Sequence, residues 1–87
     1  SPGIPIKLNQ RKCGKNDAFI IFGKKHKNEK NTFNLSKRGN LNDAAKNLYK
    51  IFRKIKNKGF KKISVVKITK NGIGFAINDR LRRAAAK

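Results

Sequence analysis

The feature that most constrains the fold is a long amphipathic segment, residues 40–59, flanked on both sides by segments of strand-like composition. Its apolar residues recur at i, i+3, i+4 and i+7, the spacing of one helical stripe, and they are Leu41, Ala44, Ala45, Leu48, Phe52 and Ile55. Asn40 can cap the N-terminus, with Asp43 three residues later as in a capping box. Gly59 suits the left-handed conformation that ends many helices. The pattern therefore predicts a helix over residues 40–59.

Four short segments have the composition of β-strands. Residues 18–22 are continuously apolar and stop at Gly23, as expected of a strand buried on both faces. Residues 63–68 are rich in β-branched side chains, residues 4–8 alternate apolar and polar, and residues 32–35 form a weaker strand. A helix between two strands of one sheet implies a right-handed crossover, so these strands are expected to pair in parallel.

A second helix is predicted over residues 74–86, after a turn at Asn71-Gly72. The apolar residues of its inner stripe are Ile77, Leu81, Ala84 and Ala85. The order of elements predicts an α/β fold, a small Rossmann-like domain with a mostly parallel sheet of about four strands and helices on its faces. Residues 1–87 are expected to form a single domain.

The net charge is strongly positive, because 24 lysines and arginines face only 4 aspartates and glutamates, which gives +20 at pH 7. Such a charge attracts polyanions, and tRNA is the partner that it suggests. The alternative is compositional drift, since Asn and Ile are also abundant and the lysines are spread over loops and helix faces. A dedicated nucleic-acid reader more often clusters its cations and interleaves aromatic residues, which favours the compositional explanation.

Cysteine content and hydropathy indicate the compartment. Cys13 is the single cysteine, so the sequence has no disulfide framework and no zinc cluster, which suits a reducing cytoplasm. Lysines beside Cys13 can lower a thiol pKa, but no base adjoins it in the sequence, which favours an incidental thiol. The longest apolar run, residues 18–22, is far shorter than the roughly 20 residues needed to cross a bilayer. We therefore expect a cytoplasmic protein with no membrane partner.

Two stretches carry a more specific pattern. Residues 72–85 have the sequence Gly-Ile-Gly-Phe-Ala-Ile-Asn-Asp-Arg-Leu-Arg-Arg-Ala-Ala. Residues 34–36, Asn-Leu-Ser, precede the predicted helix, which carries Ala-Ala at 44–45 and Asn-Leu-Tyr at 47–49. Both stretches resemble the C-terminal domain of the long, two-domain threonylcarbamoyl-AMP synthases, in which the first stretch closes the domain. The resemblance covers essentially the whole chain.

This resemblance implies an activity for a full-length protein, the synthesis of threonylcarbamoyl-AMP from ATP, L-threonine and bicarbonate for tRNA modification. In the family, an N-terminal catalytic domain performs this chemistry and is followed by a linker that carries a short motif. Ser1-Pro2 resembles the last half of that motif. ATP and Mg²⁺ are therefore expected in the catalytic domain, and no cofactor is expected in this chain. The expected partners are that catalytic domain and linker in cis, with this chain as a non-catalytic accessory domain. The alternative function is a basic module that binds tRNA.

Few side chains are suited to catalysis. Asp43 is expected to cap the first helix, and Asp79 to pair with an arginine on the second. The remaining carboxylates, Asp17 and Glu29, lie on separate loops, so no paired general acid and base is evident. His26 is the only histidine and lies in a lysine-rich loop that we expect to be solvated.

The final helix supplies the candidate contact residues. A phosphate could be held where Gly72-Ile73-Gly74 opens this helix, although a lone Gly-x-Gly more often makes a turn. The candidates for an interdomain or phosphate contact are Asn78, Asp79, Arg80 and Arg83. Their structural alternative is to tie the helix to the preceding turn and to form ion pairs, with Asp79 placed for Arg82 or Arg83. No catalytic, cofactor-binding or metal-binding residue is predicted.

Overall fold

The computed structural model describes residues 3–27 and 29–85. Within these ranges the chain forms, in order, β1 (Ile6–Lys7), β2 (Ala18–Ile21), β3 (Thr32–Asn34), α1 (Leu41–Asn57), β4 (Ile63–Val65) and α2 (Ile73–Ala85). Each predicted strand and helix is therefore present, with shorter strands than expected. The predicted last residue of the second helix, Ala86, and the motif at Ser1-Pro2 lie outside the described residues.

The four strands form one sheet in the order β1-β4-β2-β3, and all three strand pairings are parallel. This confirms the predicted Rossmann-like α/β class. Helix α1 crosses from the edge strand β3 to β4 in the middle of the sheet. Because a right-handed crossover in this direction leaves the chain on the face opposite to the β1–β2 and β2–β3 connections, the helices and the loops cover different faces.

The face under the helices carries the hydrophobic core. Paired residues of neighbouring strands point to the same face, so Ile6, Ile63 and Ala18 form one row, and all three are buried. The two helices contact each other above this core and bury their inner stripes in it. On the loop-covered face the corresponding row includes Lys7, which is exposed, and Phe19, which is half-buried.

Helix α1 begins with the cap that the sequence predicts, since Asn40 Oδ1 accepts a hydrogen bond from the Asp43 N–H at 3.0 Å. The reciprocal bond of a capping box is made by a different residue, because the Asn40 N–H donates to Ser36 Oγ at 3.0 Å. The Asp43 carboxylate instead accepts from Arg38 Nε at 2.7 Å and Ser36 Oγ at 3.1 Å. The hydrogen bond from Arg38 holds the pKa of the Asp43 carboxyl below its usual value.

The strands are short because the backbone turns away from the sheet soon after each one begins. Asn9 follows β1 with a φ of 56°, and Gly23 follows β2 with a φ of 92°. Val66 keeps one bond to the sheet, from its N–H to the Ile20 carbonyl at 3.0 Å, and Ile68 beyond it stays buried. At the end of α1, Gly59 has a φ of 83°, as its predicted left-handed stop requires. Neither helix in the described ranges has the length and apolar character needed to cross a membrane.

Candidate interdomain surface

The glycine turn before α2 is a packing device. Gly72 adopts a φ of 50°, and the Gly74 N–H donates to the Asn71 carbonyl at 2.7 Å. A Cβ at Gly74 would overlap the carbonyl oxygen of Thr69 and would lie 3.6 Å from Leu41 Cδ1. The absence of a side chain at Gly74 therefore allows the start of α2 to lie against the segment after β4 and the start of α1.

Asn78 fixes α2 to the same segment from inside the domain. Its Nδ2 donates to the Ile68 carbonyl at 3.0 Å and to the Gly74 carbonyl at 2.7 Å. One amide group therefore joins the first turn of the helix to the chain that follows β4. The side chain is half-buried and is directed into the domain, which gives it the structural role that the sequence left open.

Asn78→Asp is expected to destabilise the domain by about 1–3 kcal/mol, because a carboxylate of the same size has no N–H and faces two carbonyl oxygens. Urea unfolding followed by circular dichroism measures the loss. Asn42→Asp is a matched control, since Asn42 is exposed in the first turn of α1, where a negative charge is favourable. Equal unfolding midpoints for the two variants would contradict the role assigned to Asn78.

Asp79 forms the ion pairs that its spacing predicts. Asp79 Oδ1 lies 2.9 Å from Arg82 Nη2, and Asp79 Oδ2 lies 3.2 Å from Arg83 Nε. Both guanidinium groups are largely exposed, so each pair contributes about 0–1 kcal/mol at most. The carboxylate offsets part of the positive charge on the outer side of α2.

Arg80 connects the two helices. Its guanidinium carbon lies 5.4 Å from the centroid of the Tyr49 ring, a cation–π contact between α2 and α1. The four candidate residues of the final helix therefore point in three directions. Asn78 is directed inward, Asp79 and Arg83 pair with each other, and Arg80 reaches across to Tyr49.

The exposed apolar residues define a surface that we call the helix-pair surface. Tyr49, Ile73 and Phe75 are the large apolar side chains that stay exposed in the described ranges, at 59%, 40% and 61% of their area. Leu41 lies beside Gly74, and Tyr49 lies beside Arg80, so the adjoining sides of the two helices run together. The helix-pair surface comprises Leu41, Ala45, Tyr49, Ile73 and Ala76, whereas Phe75 is exposed on the other side of α2, because residues two apart on a helix do not share a face.

The start of α2, which supplies Ile73 and Ala76 to this surface, differs in charge from the rest of the chain. Residues 71–78 contain no charged side chain, in a sequence in which 32% of residues are charged. Exposed apolar area that is free of charge is the usual property of a protein contact rather than of a solvated face. Periodicity alone could have identified Phe75, because it falls outside the inner stripe of Ile77 and Leu81.

The remaining reactive side chains have structural partners. Partial burial raises the pKa of the Cys13 thiol, and the charge of Asp17 raises it further. The Cys13 Sγ also accepts a hydrogen bond from Asn31 Nδ2 at 3.4 Å. His26 packs against Phe19 with ring centroids 6.3 Å apart and an interplanar angle of 78°.

A cavity of about 450 Å³ on the loop-covered face is lined in part by Cys13, and the lysines in its lining are Lys7, Lys12 and Lys62. Its lining does not include Gly72 or Gly74, so these glycines do not contribute to it. Among residues 3–27 and 29–85, no cluster of three or more histidine, cysteine, aspartate or glutamate side chains is placed to hold a metal ion.

The parallel sheet and its two contacting helices define a small Rossmann-like α/β domain that leaves an apolar surface exposed. The family model for the C-terminal domain of threonylcarbamoyl-AMP synthase matches residues 5–86. The chain therefore belongs to this family, as the sequence resemblance implies. Comparison with curated proteins and with solved structures finds no significant match.

Proposed function

We propose that this chain is the accessory domain of a cytoplasmic threonylcarbamoyl-AMP synthase and that it acts in cis on the catalytic domain. The full-length enzyme would make threonylcarbamoyl-AMP from ATP, L-threonine and bicarbonate for tRNA modification, with ATP and Mg²⁺ held by the catalytic domain. The accessory domain would hold the linker over the ATP site and limit the motion of the catalytic domain. The helix-pair surface is the observation that carries this proposal.

The charge of the chain limits the kinds of partner that the helix-pair surface can bind. Two copies that each carry +20 repel each other, so a second copy is disfavoured as the occupant. A domain of the same polypeptide needs only a weak contact, because a short linker gives an effective concentration in the millimolar range. A Kd of about 1 mM corresponds to about −4.1 kcal/mol. A few exposed apolar anchors such as Tyr49 and Ile73 are sufficient for a contact of that strength.

Tyr49→Ser/Ile73→Ser is expected to uncouple the domain from the synthase, because it removes two exposed anchors of the helix-pair surface without opening the core. We expect the affinity of this chain for the separately produced catalytic domain to fall about tenfold. The same change in the full-length enzyme should slow pyrophosphate release with ATP, threonine and bicarbonate. Calorimetry and a pyrophosphate assay measure the two effects.

Lys50→Ser is the matched control, since Lys50 is exposed on α1 away from α2 and should leave both measurements unchanged. If the double variant keeps the parent's affinity for the catalytic domain and the parent's rate of pyrophosphate release, the helix-pair surface is not the contact between the two domains. Pyrophosphate release by this chain alone, at a rate near that of the full enzyme, would contradict the accessory role itself.

A further inference from the structure

A second surface lies on the other side of α1, along the free edge of the sheet. Strand β3 is an edge strand, and a cavity of about 330 Å³ runs between it and the last turns of α1. The apolar part of its lining comes from Phe33 and Ile51. The other lining residues are polar or charged: Glu29, Lys30, Thr32, Asn34, Lys37, Lys54 and Lys58. We call the site formed by all of these residues the edge groove.

Four lysines converge on the edge groove from distant parts of the sequence. Lys30 and Lys37 flank β3, while Lys54 and Lys58 lie one turn apart at the end of α1. Glu29 is the one carboxylate in the lining, so the groove carries an excess of positive charge. The ion pairs among the described residues are made by arginines, and none of these lysines has a described carboxylate within salt-bridge distance.

This clustering is not explained by stability. Lys54 and Lys58 repel each other at i, i+4 by a few tenths of a kcal/mol, although the negative end of the helix dipole offsets this. The dipole gives no reason for Lys30 and Lys37 to converge on the same groove. A concave surface lined by one sign of charge concentrates counterions and anionic ligands.

The polar groups beside the lysines are already used within the domain. Thr32 Oγ1 donates to the Glu29 carbonyl at 2.9 Å and accepts from the Glu29 N–H at 2.9 Å. The Asn34 amide donates to the Gly23 carbonyl at 2.9 Å and accepts from the Ser36 N–H at 3.0 Å. The lysine ammonium groups are the charged donors of the groove, and lysine contacts phosphates as a point charge.

We propose that the edge groove binds the phosphodiester backbone of tRNA without sequence specificity. Lysines on two opposed sides of an open groove match a continuous polyanion, because lysine binds phosphate as a point charge and needs no fixed bidentate geometry. The choice of tRNA among RNAs rests on the proposed function, in which the product of the enzyme is used on tRNA. The groove would hold this tRNA beside the synthase.

The test compares two quadruple Lys→Gln variants of the chain that lower the net charge equally. The groove variant changes Lys30, Lys37, Lys54 and Lys58. The control variant changes exposed lysines elsewhere, Lys15, Lys50, Lys67 and Lys70. Circular dichroism establishes that both variants fold. Binding to unmodified tRNA is measured by fluorescence anisotropy between roughly 20 and 200 mM salt, the range in which counterion release dominates affinity.

The groove variant is expected to bind tRNA at least about tenfold more weakly at low salt. Its slope of log K against log salt should shrink by about 3, which is roughly 0.7–0.9 for each of the four phosphates that the groove lysines no longer neutralise. The control variant should weaken much less on both measures. Equal effects in the two variants would show diffuse charge attraction and overturn the assignment to this groove.

Two further outcomes also overturn the proposal. One is the absence of tRNA binding by the parent chain at low salt. The other concerns competition. If polyglutamate displaces tRNA as well as competitor RNA does at the same concentration of negative charge, the groove binds an acidic protein rather than tRNA. None of these measurements uses the catalytic domain, so a failed groove and a failed accessory role are distinguishable.

Discussion

Gly74→Ala is expected to destabilise the domain by about 3 kcal/mol or more, the upper end of what overpacking costs. The added methyl group would overlap the Thr69 carbonyl oxygen, and a backbone atom held between β4 and α2 cannot rotate away as a side chain can. Alanine gains roughly 1 kcal/mol of helix propensity over glycine, which is too little to offset the clash. Urea unfolding followed by circular dichroism measures the loss.

Gly72→Ala separates sterics from backbone strain at the same turn. Nothing lies within 4 Å of a Cβ built on Gly72, so its cost comes only from the φ of 50°. A left-handed alanine costs about 1–2 kcal/mol. The steric argument therefore requires Gly74→Ala to lose clearly more stability than Gly72→Ala, and the reverse order would contradict it.

Local sequence patterns predict the helices and strands, but they do not predict which of these elements lie side by side in the fold. The stripe from Leu41 to Ile55 and the cap at Asn40 are short-range features, and the helix forms where they predict. The position of β1 beside β4 pairs Ile6 with Ile63, two residues that are far apart in the sequence. Hydrophobic periodicity specifies which face of a strand is buried, but it gives no information about which other strand pairs with it.

The candidate site shows the same division. The pairing of Asp79 with Arg82 and Arg83 depends on helical spacing, and it was predictable. The hydrogen-bond partner of Asn78 was not predictable, because the Ile68 carbonyl becomes available only where the chain after β4 leaves the sheet. Arg80 lies over Tyr49 because α1 and α2 are neighbours, a fact of tertiary packing.

Helix α1 separates the two proposed contact surfaces. Leu41, Ala45 and Tyr49 recur every four residues along the side that adjoins α2. Lys54 and Lys58 lie on the side that adjoins β3. Because an α-helix has about 3.6 residues per turn, these two rows flank the buried stripe from opposite directions. The domain can therefore present the helix-pair surface and the edge groove to different partners at once.

Phe52→Ala is expected to cost about 3–5 kcal/mol, the range for truncating a buried aromatic residue. Phe52 is 7% exposed and belongs to the core cluster formed by both helices and the sheet. Chains of this size are stabilised by about 0.05–0.15 kcal/mol per residue, so the loss is a large share of the total. Arg53→Ala, at the neighbouring exposed position, should change stability by no more than about 0.5 kcal/mol.

Urea unfolding of both variants tests whether the buried stripe of α1 holds the domain together. A loss below about 1 kcal/mol for Phe52→Ala would mean that the ring is not a core anchor. If the variant is unfolded in buffer, Phe52→Leu supplies the measurement, because it retains most of the apolar volume and should lose less than Phe52→Ala. An equal loss for Phe52→Leu and Arg53→Ala would place the core on another face of the helix and would remove the basis for both contact surfaces.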